Sequence, residues 1–125
     1  ILSEKENIDV NSIGGCLNKG NRFFFKADYV KYFDGIRFDA AILGAAAITE
    51  DGIYYVDEED ALIKQAAVKK SDIVIVLAEY EKFKCLSYYR GAKWEQIDVI
   101  ITDKIPPAAF VEIIEAYDIR LIITK

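Results

Sequence analysis

Glu79, Glu81 and Lys82 crowd into the stretch Glu79-Tyr80-Glu81-Lys82-Phe83, directly after the apolar run Ile73–Ala78. A lysine placed there can hold a phosphate or carboxylate as a point charge, and a neighbouring glutamate can accept hydrogen bonds from sugar hydroxyls. The same residues also fit a solvated loop. Asp103 ends a second apolar run, Val99–Thr102, and can either accept a hydrogen bond from a ligand hydroxyl or cap a turn. Gly44-Ala45-Ala46 ends a third, Ala40–Leu43. Small residues there let a ligand approach the backbone, or make only a tight strand exit. Gly14-Gly15 can aim amides at an anion or form a plain glycine turn. The candidate ligand-binding set is therefore Lys82, Glu79, Gly44, Ala45, Ala46, Gly14, Gly15 and Asp103. The chain has no histidine, which removes the commonest general base and metal ligand. No serine–histidine or cysteine–histidine nucleophile can be assembled. No catalytic residue, metal site or cofactor is expected.

The elements that position these residues are strands apolar on both faces. Such strands belong to a parallel sheet covered by helices, and in open α/β sheets ligands bind beyond the carboxyl ends of the strands. The three abrupt stops thus mark the functional rim. Each run is preceded by an aspartate, Asp39, Asp72 or Asp98, read as a recurrent strand start at the far edge of the sheet. Between the runs, Ile53–Val56 reads as extended. Asp57 is placed to cap a helix, with Glu58, Glu59 and Asp60 in its first turn and Lys69 and Lys70 in its last. Asp60 and Lys64 are four apart and can pair on the helix surface. Leu62, Ile63, Ala66 and Ala67 form its expected buried stripe. Pro106-Pro107 opens a last helix with Phe110, Ile113, Ile114 and Tyr117 on one face, before a final strand over 121–124. Toward the start, Ile8, Val10 and Ile13 suggest a strand ending at Gly14-Gly15. Residues 19–22 read as a turn and 28–33 as a helix. Phe23-Phe24-Phe25 is ambiguous, and the aromatic residues of this segment are core or subunit contact.

With 125 residues the chain is read as one domain spanning 1–125. That length buries roughly two-thirds of the unfolded surface without a disulfide or metal. No stretch approaches the ~20 apolar residues of a membrane span, and no signal peptide is visible. Two scattered cysteines, Cys16 and Cys85, read as free thiols in a reducing, cytoplasmic setting. The net charge of -5 and the lack of a basic cluster beyond Lys69-Lys70 argue against direct nucleic-acid binding by this segment.

Taken in order, Ile13-Gly14-Gly15, Phe38-Asp39-Ala40-Ala41-Ile42-Leu43-Gly44-Ala45 and Asp60-Ala61-Leu62-Ile63-Lys64 form the first half of a pattern. Val76 to Phe83 and Ile97-Asp98-Val99-Ile100-Ile101-Thr102-Asp103 complete it. From about Asp9 to the end, this order and spacing resembles the C-terminal sensor domain of DeoR-type bacterial transcriptional regulators. The resemblance implies a three-layer, Rossmann-like α/β fold with a mostly parallel sheet, akin to ribose-5-phosphate isomerase and the coenzyme A transferases. It also implies that the domain binds a phosphorylated sugar or related metabolite, forms a homo-oligomer, and controls a winged helix-turn-helix that binds DNA. That helix-turn-helix and the family's glycine–threonine phosphate loop fall outside these residues, so the chain reads as a sensor fragment truncated on its N-terminal side.

The rim departs from the family pattern. Ala46 and Ala47 stand where an asparagine and a glycine are usual, and Glu79-Tyr80-Glu81-Lys82-Phe83-Lys84 stands for Asp-Ser-Ser-Lys-Phe-Gly. Lys82 and Phe83 match outright, which makes Lys82 the leading ligand contact. Tyr80 and Glu81 replace small serines and are expected to narrow the pocket. Two alternatives stay open: a sugar-phosphate isomerase- or deaminase-like enzyme using Glu79, Glu81 or Asp103, and a structural oligomerisation domain with a lost pocket.

Overall fold

The computed structural model describes residues 16–18, 23–25 and 33–124, with the side chains described from Phe33 onward. The expected strand ending at Gly14-Gly15, the turn over 19–22 and nearly all of the expected helix over 28–33 lie outside the described residues. The ambiguous Phe23–Phe25 is a strand, β2, paired antiparallel with β1 (Cys16–Asn18).

The remaining strands form two sheets. β3 (Phe38–Leu43), β6 (Ser71–Leu77), β8 (Val99–Thr102) and β9 (Arg120–Ile123) make a four-stranded parallel sheet in the order β3-β6-β8-β9. β4 (Ala47–Thr49), β5 (Gly52–Tyr55) and β7 (Tyr89–Ala92) make a three-stranded antiparallel sheet. Two α-helices are described: α1 (Glu58–Lys69) between β5 and β6, and α2 (Ala108–Ala116) between β8 and β9. The mostly parallel central sheet with helical crossovers is the Rossmann-like α/β architecture expected from the apolar runs. The small antiparallel sheet was not legible: β4 hides in the alanine run after Gly44, and β7 is a four-residue strand without alternation.

Register explains which side of the parallel sheet is core. Ala41 pairs with Val74 and Leu43 with Val76, while Val76 also pairs with Ile100. Leu43, Val74, Val76 and Ile100 are all buried. Their in-register neighbours Ala40, Ile42, Ile73 and Leu77 point the other way, because side chains alternate along a strand. On that second face Ile42, Ile73 and Leu77 are exposed, Ile42 at 68%, while Ile75 and Ile101 are half-buried.

The helices differ from expectation in detail. α1 buries Ala61, Ala66 and Val68, whereas Leu62 of the expected stripe is exposed. Asp57 occupies the N-cap position with extended φ and ψ, yet its side chain makes no capping hydrogen bond. The helix is instead started by the backbone bond from Ala61 N–H to Asp57 C=O. α2 begins just after Pro106-Pro107 as predicted and buries Ile114, while Tyr117 is half exposed. It ends in a Schellman motif: Asp118 sits at φ 56, Ile119 N–H donates to Ile114 C=O at 2.9 Å, and Asp118 N–H to Glu115 C=O at 3.1 Å.

Candidate functional site

The rim loop after β3 is held by β5. Tyr55 Oη donates to Gly44 C=O at 2.6 Å, and Ala46 N–H donates to Tyr54 C=O at 3.1 Å. Tyr55 reaches this position because Gly91, on the neighbouring strand β7, has no side chain. A Cβ at Gly91 would lie 2.3 Å from Cε2 of the Tyr55 ring. Burial pushes the Tyr55 phenol well above its ordinary pKa, and the nearby Asp60 charge adds to the shift. The hydroxyl therefore stays a donor throughout the physiological range.

Beside this loop lies a hollow of about 300 Å³, lined by Gly44, Ala45, Ala46, Tyr55, Val56, Asp57, Asp60 and Lys64. The pair anticipated on the helix surface is part of its wall. Lys64 Nζ lies 2.7 Å from Asp60 Oδ1 and 5.4 Å from the centroid of the Tyr55 ring. Both side chains are more than two-thirds buried, at 27% and 18% exposure. An ammonium held between a carboxylate and an aromatic face is pre-oriented. Such a pair offers a ligand one donor and one acceptor side by side, which suits neighbouring hydroxyls. Two carboxylates against one ammonium make this hollow a poor seat for a phosphate dianion.

A second hollow, of about 280 Å³, opens at the carboxyl ends of β6 and β8, lined by Leu77, Ala78, Glu79, Ile101, Thr102, Asp103 and Thr124. Asp103 accepts the Tyr80 N–H at 2.7 Å and the Thr102 hydroxyl at 3.4 Å. The Tyr80 amide is the main cause that holds the Asp103 carboxyl below its usual range. Asp103 thus pins the preceding loop, Glu79-Tyr80, against the end of β8. Thr102, 2% exposed, is buried at the hollow's base.

The sequence-derived set separates into three groups. Gly44, Ala45 and Ala46 line the first hollow; Glu79 and Asp103 line the second. Lys82 sits half-buried on the 3-10 turn Tyr80–Lys84, outside the lining of both hollows. Gly14 and Gly15 lie outside the described residues. Tyr80 and Glu81, expected to narrow the pocket, line neither hollow. The Tyr80 ring instead meets Lys84 Nζ at 4.9 Å and Lys104 Nζ at 5.9 Å. Sequence reasoning missed Tyr55 as a rim residue. It read Asp60 and Lys64 as a solvated pair, because their four-residue spacing is equally common on exposed helices. Among the described residues no group of carboxylates and cysteines is arranged to hold a metal ion, and Cys85 is a free thiol.

The sequence profile of the DeoR C-terminal sensor domain matches residues 1–104. The HTH-type transcriptional repressor GlcR of Bacillus subtilis (strain 168) is 32% identical over all of this chain and 48% of its own length. The HTH-type transcriptional regulator GlpR of Haloferax volcanii is 29% identical over 82% of this chain and 40% of its own. The glycerol-3-phosphate regulon repressor of Escherichia coli (strain K12) is 23% identical over 96% of this chain and 48% of its own. The chain spans about half the length of these relatives, which are transcriptional regulators rather than enzymes. With its parallel sheet, its two hollows at the strand ends and its matched motifs, the chain belongs to the DeoR C-terminal sensor domain family.

Proposed function

We propose that this domain is the effector-sensing and oligomerising part of a longer cytoplasmic repressor. The effector is a phosphorylated sugar or related metabolite, and its binding changes the DNA affinity of a helix-turn-helix elsewhere in the protein. The observation that carries this reading is the pair of hollows at the carboxyl ends of the parallel strands, bounded by Gly44–Ala46 on one side and by Glu79 and Asp103 on the other. In this reading the sugar hydroxyls lie against Asp60 and Lys64. The names of the relatives support a phosphorylated small molecule, since one is a glycerol-3-phosphate regulon repressor.

Titration of the full-length protein with glycerol 3-phosphate and glucose 6-phosphate, followed by thermal unfolding and by release from operator DNA, tests this. A ligand at 100 times its dissociation constant stabilises the fold by about 2.7 kcal/mol. Stabilisation together with altered DNA affinity supports the reading. Neither effect with any phosphorylated sugar would overturn sensing, and a monomer by light scattering would overturn the oligomeric part.

A further inference from the structure

A third hollow, of about 220 Å³, lies between the last turns of α1, strand β7 and the turn that follows it. Its charged lining is all of one sign: Lys69 from the helix, Arg90 from the strand and Lys93 from the turn. No carboxylate lines it, in a chain whose formal net charge is -5. The remaining side-chain functional groups are the amides of Gln65 and Gln96, and both are fixed. Gln65 Nε2 donates to Arg90 C=O at 2.6 Å, and Gln96 Oε1 accepts the Lys93 N–H at 2.9 Å. The second bond occupies the acceptor end of Gln96 and presents its NH2 group as a donor beside the cations. Arg90 Nη1 donates to Asp51 C=O at 3.3 Å, which steadies the guanidinium on the β4–β5 turn while its other N–H groups remain to donate.

Three like charges on one concave surface repel one another, and a concave surface focuses their field on whatever enters it. An anion relieves that repulsion and gains charge-assisted hydrogen bonds from ammonium, guanidinium and amide donors. We propose that this hollow is a second binding site, distinct from the rim, for a phosphoryl group. The group comes either as free inorganic phosphate or pyrophosphate, or as the phosphorylated end of a small metabolite. The volume accommodates one or two phosphate units, and the donor set suits their several oxygens.

Calorimetric titration of the full chain at fixed ionic strength, with pyrophosphate and separately with glycerol 3-phosphate, tests the site. Three proteins are compared: wild type, Lys69→Gln/Lys93→Gln, and Arg37→Gln, which removes an exposed cation outside all three hollows. The expected result is equal binding by wild type and by Arg37→Gln, weakened about tenfold or more in the double variant, which loses two of the three cationic donors. If the weakening is confined to pyrophosphate, the natural anion is inorganic. If it extends to glycerol 3-phosphate, the site takes a metabolite phosphate. Arg90→Gln replaces the double variant if the latter does not fold. Absence of binding by wild type, undiminished binding by the double variant, or equal weakening in Arg37→Gln would each overturn the proposal.

Discussion

The two ends of the parallel sheet use the same kinds of residue for different purposes. At the end where the strands start, every aspartate with a described contact is tied to another part of the protein. Asp72 forms an ion pair with Arg37, and Arg37 Nε donates to Asp72 Oδ1 at 3.0 Å. Asp98 accepts the Val74 N–H at 2.8 Å through its side chain and the Arg120 N–H at 3.0 Å through its backbone. The Schellman turn after α2 delivers buried Ile119 to the same edge. At the end where the strands stop, hydrogen bonds hold loops rather than strands. Tyr55 fixes Gly44, Asp103 fixes Tyr80, and space remains beside both. Polar residues at the first edge set register; at the second they set the walls of cavities. Substitutions at the starting edge should therefore change stability alone, and those at the rim should also change ligand response.

The largest effect is expected from Gly91→Ala. Its Cβ would meet the Tyr55 ring at 2.3 Å, with Lys64 Cβ at 3.2 Å, so neither neighbour can yield by swinging a flexible tip. A cost of about 1–3 kcal/mol in chemical denaturation is expected for such overpacking. Tyr55 would also be displaced from Gly44, weakening effector binding. A stable Gly91→Ala protein with unaltered binding would break the link between β7 and the rim.

Next are Tyr55→Phe and Asp98→Ala, each removing one hydrogen bond and each expected to cost about 0.5–1.5 kcal/mol. The pair discriminates between the two ends. Tyr55→Phe should alter effector affinity measured by calorimetry, and Asp98→Ala should leave it unchanged. Equal effects on affinity would erase the distinction.

Asp103 gives a pH test. Its carboxyl is held below the ordinary value by the Tyr80 amide, so the folded state favours the ionised form. The resulting stability is present above the unfolded pKa of about 3.9 and is lost as pH falls through the lower folded value. Asp103→Asn should flatten that part of the acid-unfolding curve and loosen the Glu79–Tyr80 loop. An unchanged acid limb would show that the bond does not persist in solution.

The smallest effects are expected at the starting edge. Asp118 holds a left-handed conformation that glycine adopts without strain. Asp118→Gly should be neutral to stabilising, by up to about 1 kcal/mol in thermal unfolding. The Arg37–Asp72 pair is solvent-exposed. Arg37→Gln should leave the unfolding midpoint nearly unmoved, because exposed ion pairs contribute little.

The sequence by itself determined the parallel sheet. Runs such as Ile73–Ala78 and Val99–Thr102 are apolar at successive positions, as strands of a parallel sheet are, and helical periodicity between them requires crossovers. It also located the rim, because the runs stop at glycine or charge, and it carried enough ordered motifs to identify the family. It did not reveal β4 or β7, because three- and four-residue strands have no period to detect. Nor did it separate Asp60 and Lys64 from a solvated helix pair, or show that Tyr55 would reach the rim. Those outcomes depend on which surfaces meet. Tyr55 and Gly91 are far apart in sequence, and only the antiparallel pairing of β5 with β7 places the ring where Gly91 lacks a side chain. That contact sets Tyr55 on Gly44, and the rim hollow forms beside it. Local patterning dictates elements because burial acts residue by residue along the chain. A cavity is a property of the gaps between elements, and those exist only once the chain has packed.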